Sequence, residues 1–201
     1  MKARQISILI AACLMATTTL AQRKTKFTEE DAKQFYRTIQ GEYKAQINDS
    51  VSATLHFAPI WQNDGRFHWL YMEAFYDESR QIIEQKVIEI VPVTQLTYKI
   101  IVHDLKDPAI FAGKWGNRNF FDGYTTDILK GKSRFKFIKT KDFEYQTTSF
   151  YSRKSLQCFS KGDRVHFKFV QGDERLYIKI LRSRSSKIDG VLFIKTPTDI
   201  G

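Results

Sequence analysis

Glu73 is the residue in this chain with the most chemical potential. It has the same strand parity as Phe67, Trp69, Tyr71 and Phe75, so its carboxylate belongs to an aromatic face. A carboxylate among rings is costly unless it is paired or hydrogen-bonded. That leaves a salt bridge to Lys86 or an arginine, a ligand contact, or a raised pKa. Trp69, Tyr71 and Phe75 either line a cavity or fill a core, and periodicity alone leaves both open.

Other candidates are sparse. His56, His68, His103 and His166 occur singly, without metal-ligand spacing, each in a strand pattern where the ring can face solvent. No nucleophile elbow, phosphate loop or dinucleotide fingerprint is present, so no catalytic residue is assigned and no metal is expected. Arg182 to Lys187 is a basic, polar run that reads as a hairpin loop, with an anion site as the alternative. Cys158, near Leu156 and Phe159, reads as a small buried hydrophobe in a strand. A reactive thiol is its alternative.

The first 21 residues read as a signal peptide. Lys2 and Arg4 precede an uncharged run from Ile6 to Leu20, and Thr19-Leu20-Ala21 suits cleavage before Gln22. The run is short for a bilayer-spanning helix, which needs about 20 residues. A retained anchor, or lipid attachment at Cys13 in Ile10-Ala11-Ala12-Cys13, are the alternatives. The expected location is therefore the periplasm or cell envelope. Cleavage removes two of the 32 basic residues and none of the 22 acidic ones, leaving a net charge of +8. The two signs are interspersed, which argues against a nucleic-acid partner and leaves peripheral attraction to an anionic membrane surface open. Only Cys158 then remains, so no intramolecular disulfide can form.

These residues must be positioned mostly by strands, in one domain spanning residues 22–201. Thr28 with Glu29, Glu30 and Asp31 starts a helix, and Ala32, Phe35, Tyr36 and Ile39 form its apolar stripe. The helix is predicted over about 28–40, with strands over about 51–195 that it packs on or plugs. Val51, Ala53, Leu55 and Phe57 alternate with polar residues, and Asn63-Asp64-Gly65 is a turn before the aromatic strand ending at Tyr76. Ile83 and Val87 read as one face of the next strand, and Ile82, Ile88 and Ile90 as the other. Leu96 to Val102, Phe135 and Phe137, Phe143 to Tyr151, Val165 to Phe169, Leu176 to Ile180 and Gly190 to Lys195 continue the series. Ala112 to Lys132, loosened by glycines, reads as a rim or lid. Roughly nine or ten short strands point to a sandwich or closed barrel, and the meander with its N-terminal helix favours the barrel. The expected class is all-β: a calycin/lipocalin-like antiparallel up-and-down β-barrel with a short N-terminal α-helix, able to hold one small ligand.

The central third resembles the T-type phycobiliprotein chromophore lyases (CpcT/CpeT-like proteins). The resemblance rests on His56-Phe57-Ala58-Pro59-Ile60-Trp61, Trp69-Leu70-Tyr71-Met72-Glu73-Ala74, Gln85-Lys86-Val87 and Asp107-Pro108-Ala109-Ile110-Phe111-Ala112-Gly113. It implies a barrel, often dimeric, that holds a bilin or other tetrapyrrole and delivers it to a cysteine of a partner protein. By the same resemblance, Trp61, Trp69, Tyr71, Glu73, Gln85 and Lys86 would contact the ligand, with Glu73 near the pyrroles. Ala74 stands where the family carries glutamine, and Ile82-Ile83-Glu84-Gln85-Lys86 stands in place of its Pro-Tyr-Arg-Gln-Arg segment. The alternative is a non-enzymatic envelope or interaction protein whose barrel is filled.

Overall fold

The computed structural model describes residues 29–62, 68–94, 96–141, 144–148, 151–152, 164–170, 174–181 and 188–197. The signal-like segment, Thr28, the Asn63–Gly65 turn, Phe67, Phe143, Cys158 and the Arg182–Lys187 run lie outside them.

Helix α1 (Glu29–Ile39) leads into eleven strands: β1 (Gly41–Asn48), β2 (Val51–Ile60), β3 (His68–Tyr76), β4 (Ile82–Thr94), β5 (Thr97–Leu105), β6 (Leu129–Lys141), β7 (Glu144–Thr147), β8 (Tyr151–Ser152), β9 (Arg164–Val170), β10 (Arg175–Leu181) and β11 (Ile188–Lys195). All pairings are antiparallel. Ten strands close a ring in the order β10-β11-β1-β2-β3-β4-β5-β6-β7-β9, with β9 returning to β10 and the two-residue β8 attached to β9. Closure of this kind leaves no long exposed edge among the described strands for another chain to pair with. The strands begin at Gly41, ten residues before the expected start at Val51. Tyr43 and Ala45, buried inside, alternate with exposed Lys44 and Gln46.

The interior is the larger of two apolar clusters. Leu55 and Phe57 of β2, Leu70 and Met72 of β3, Ile88 and Ile90 of β4, Ile100 and Val102 of β5, and Phe135 and Phe137 of β6 all point into it. α1 plugs one end with the predicted stripe, since Ala32, Phe35 and Ile39 are buried. The Phe35 ring sits 4.3 Å from that of Tyr98 and 4.5 Å from that of Tyr145. Barrel tyrosines also hold the helix backbone. Tyr43 donates to the carbonyls of Thr38 and Ile39 at 2.8 and 2.9 Å, and Tyr98 donates to that of Asp31 at 3.1 Å. Burial, reinforced by Asp31, pushes the Tyr98 hydroxyl up to about 12.

The link between β5 and β6 departs from the rim or lid expected of it. A one-turn helix α2 (Pro108–Phe111) and three 3-10 turns, Lys114–Gly116, Arg118–Gly123 and Thr126–Ile128, form a strap. The strap lies against the outer wall of β2, β3 and β4, where Phe111 and Phe121 join Ile60, Trp69, Tyr71, Val87 and Leu105 in a second core. Its cause is composition. Phe111, Trp115, Phe120, Phe121 and Tyr124 supply apolar area that must be covered, and the outward rings of β3 supply the matching face.

Candidate functional site

The wall parity of β3 decides where the candidate residues go. Leu70 and Met72 point inward, so Trp69, Tyr71, Glu73 and Phe75 point outward; the strap covers the first three, and Phe75 packs on His56 under Arg80. Gln85 pairs directly with Glu73, and Trp61 at the end of β2 packs edge-on to Trp69 with ring centroids 5.3 Å apart. The structure thus brings Trp61, Trp69, Tyr71, Glu73 and Gln85 together on the outer wall. Lys86, one residue on, faces the other way.

Glu73 is only 2% exposed, yet no cation contacts it among the described residues. Hydrogen-bond donors satisfy it instead. The backbone N–H of Gly113 donates to both of its oxygens, at 2.9 and 3.2 Å. Gln85 Nε2 donates at 3.3 Å, and the Tyr71 hydroxyl lies 2.7 Å from Glu73 Oε2. That hydroxyl has one proton and two acceptors, the carboxylate and the Phe111 carbonyl at 2.9 Å, while it accepts from Gln85 Nε2 at 2.7 Å. Gln85 also donates to the Pro108 carbonyl at 3.0 Å. Burial and the bond to Glu73 push the Tyr71 hydroxyl far above the usual phenol range. Gly113 has φ +71°, a backbone region costly for other residues, and this fold of the chain turns its N–H toward the wall. The cluster is a clasp: three barrel side chains hold the backbone of 108–113 with every strong polar group satisfied.

Two further contacts fasten the strap. Trp61 Nε1 donates to the Phe121 carbonyl at 2.8 Å. The Trp115 ring lies flat on His56, centroids 3.6 Å apart and planes 9° from parallel. His56 is therefore buried at 3% exposure, which corrects the expectation that its ring faces solvent. Burial pulls its pKa down to about 4. Glu42, 3.5 Å away, opposes that shift, Lys44 and Arg80 add to it, and Asp77 opposes it.

Inside the barrel lies a cavity of about 270 Å³, floored by Ile39 and walled by side chains such as Leu55, Phe57, Met72, Ile88, Phe135 and Phe169. At the end away from α1, Ile47, Tyr76, Ile83 and Glu84 surround it. Glu84 is the charged group of that wall, on the same face of β4 as Ile88 and Ile90. The register shifts where β3 passes from Ala74 to Phe75, so Ala74 pairs with Glu84 and Phe75 with Ile82, and Ile83 is the extra residue. The bulge reverses the expected faces: Ile83 lines the cavity, whereas Val87 lies under the strap. Lys86 Nζ bridges Glu84 Oε1 and Asp104 Oδ1, both at 2.7 Å. Burial lowers its pKa, but the bonds and charges of Asp104 and Glu84 outweigh that and raise it. One ammonium held by two carboxylates leaves this end of the interior acidic.

Fold and site together define a closed ten-stranded antiparallel barrel with a helical plug and an apolar internal cavity. The selenomethionine form of the CRL protein of Arabidopsis shares this fold, with a TM-score of 0.58 at 10% identity over 85% of this chain and 100% of that one. No protein-family model and no curated protein matches the sequence.

Proposed function

We propose that this chain is an exported, non-catalytic carrier that holds an elongated apolar ligand inside the barrel, with an open-chain tetrapyrrole as the ligand class favoured by the sequence resemblance. The internal cavity carries the reading. Pockets for small molecules are concave and mostly apolar with few polar groups, and this one joins about 270 Å³ of apolar space to one carboxylate, Glu84. A pyrrole N–H is the kind of donor that a carboxylate in an apolar wall would take. The role that the resemblance implies for Glu73 would thus fall to Glu84.

The test is a titration of residues 22–201 with biliverdin and with a neutral apolar dye. Saturable one-to-one binding of both is expected. Ala74→Phe, which fills space at the cavity wall, should weaken both by roughly tenfold or more, since losing about 1.4 kcal/mol is a factor of ten. Glu84→Gln should weaken biliverdin alone. If neither probe binds, or Ala74→Phe binds both as well as the parent, the carrier reading fails in favour of the filled, non-enzymatic barrel.

Export is checked separately, by producing the full chain in a bacterium with a periplasm. The periplasmic protein is expected to begin at Gln22, and a cytoplasmic product still beginning at Met1 would refute that part.

A further inference from the structure

Charge beside the internal cavity is unbalanced. Ile47 lines the cavity and is still 43% exposed, so the end away from α1 is where the cavity meets water. Among the described residues that line it, Glu84, 6% exposed, carries the charge, and none is a cation. Lys86, equally buried, is held between Glu84 and Asp104, so its ammonium already serves two carboxylates. Lys130, the register partner of Asp104, turns its ammonium to the Lys106 carbonyl at 3.3 Å. The turn after β3 adds Asp77 and Glu78, which accept from the Thr54 and Ser52 hydroxyls. Arg80 of that turn lies 5.1 Å over the outward Phe75 ring. The basic run Arg182–Lys187 joins β10 to β11, strands that stand across the ring from β4.

We infer that the carrier selects its ligand by the head presented to Glu84: an apolar chain ending in a protonated amine is held, and one ending in a carboxylate is turned away. The inference rests on the carrier reading and narrows its ligand class. Charges interact strongly where apolar walls keep water out, so an excess carboxylate beside the cavity favours a cation there and disfavours an anion. An ammonium also brings three N–H donors, whereas an ionised carboxylate brings acceptors alone. The net charge of +8 on residues 22–201 pulls the other way and attracts anions non-specifically. A preference for the amine therefore isolates the Glu84 wall.

Dodecylamine, dodecanol and dodecanoate share one chain and differ in the head. Calorimetric titration of residues 22–201 with each, at pH 7 and below micelle-forming concentrations, is the test. The expected order is amine, alcohol, carboxylate, with roughly tenfold or more in affinity between first and last. Glu84→Gln should cut the advantage of the amine over the alcohol several-fold. Asp104→Asn, at a side chain 47% exposed, should do the same with less risk to folding. Dodecanol binding should persist in both, which reports that the barrel is intact. If dodecanol binds but the carboxylate binds as well as the amine, or the order survives both substitutions, the inference is overturned and the carrier reading stands. If none of the three binds, the carrier reading itself fails and the inference with it.

Discussion

A Glu73→Ala variant is expected to melt roughly 6–12 °C below the parent and to become cleavable by protease within 108–124, while binding ligand in the barrel unchanged. The truncation leaves the Gly113 N–H without its acceptor and removes a partner of Tyr71 and Gln85, all in a buried cluster. Hydrogen bonds to charged groups are worth about 1.5–3 kcal/mol each, and a stranded buried donor costs about 1–3 kcal/mol. A net loss of about 3 kcal/mol is a reasonable centre, and in a domain of this size each kcal/mol moves Tm by about 2–4 °C. Glu73→Gln keeps one acceptor oxygen for Gly113 and should lose roughly a third as much. Thermal melts, limited proteolysis and the biliverdin titration read the three effects together. A melting temperature within 1–2 °C of the parent would mean that the clasp does not hold the strap. Weaker biliverdin binding without loss of stability would return Glu73 to the ligand.

The barrel was legible because its inward residues keep period two in β2, β6 and β10, where Leu55, Phe135 and Ile178 have polar or solvent-exposed neighbours along the strand. The site was only half legible. In β3 both faces are apolar, since Leu70 and Met72 alternate with Trp69 and Tyr71, and alternation says which residues share a face without saying which face is inside. The larger rings suggested the interior, but the strap builds a second core for them outside. The signal for that core was present in Phe111, Trp115, Phe120, Phe121 and Tyr124, five rings in a stretch without strand period. Glu84 keeps the parity of inward Ile88 and Ile90 and was open to counting, whereas the bulge at Ile83 turns that residue inward, away from the face of Val87. β1 was overlooked because its inward series is only two residues long, Tyr43 and Ala45, too short for the alternation to stand out.

Acid should loosen the same strap through His56. The folded pKa, about 4, lies below the value of 6.5 expected of an unstructured histidine. The unfolded chain therefore takes up a proton first as pH falls. Stability from the neutral ring is complete above about pH 6.5, declines between there and about pH 4, and falls no further on this account below pH 4. At about 1.4 kcal/mol per unit, the whole interval corresponds to a loss of about 3–3.5 kcal/mol, of which about 2–3 kcal/mol is gone by pH 4.5. Burial under Trp115 is the main cause, and the nearby Glu42 recovers only part of it, because Lys44 and Arg80 lie on the other side of the balance. The parent should show a Tm that drops by roughly 4–12 °C between pH 7 and pH 4.5, before most carboxylates have titrated. His56→Phe keeps a flat ring against Trp115 and has no proton to take up, so its Tm should be nearly level over that range. Parallel pH profiles for the two proteins would show that His56 is not the acid-sensitive fastening, as would a His56 resonance, identified by its loss in His56→Phe, that titrates near 6.5 in the folded state.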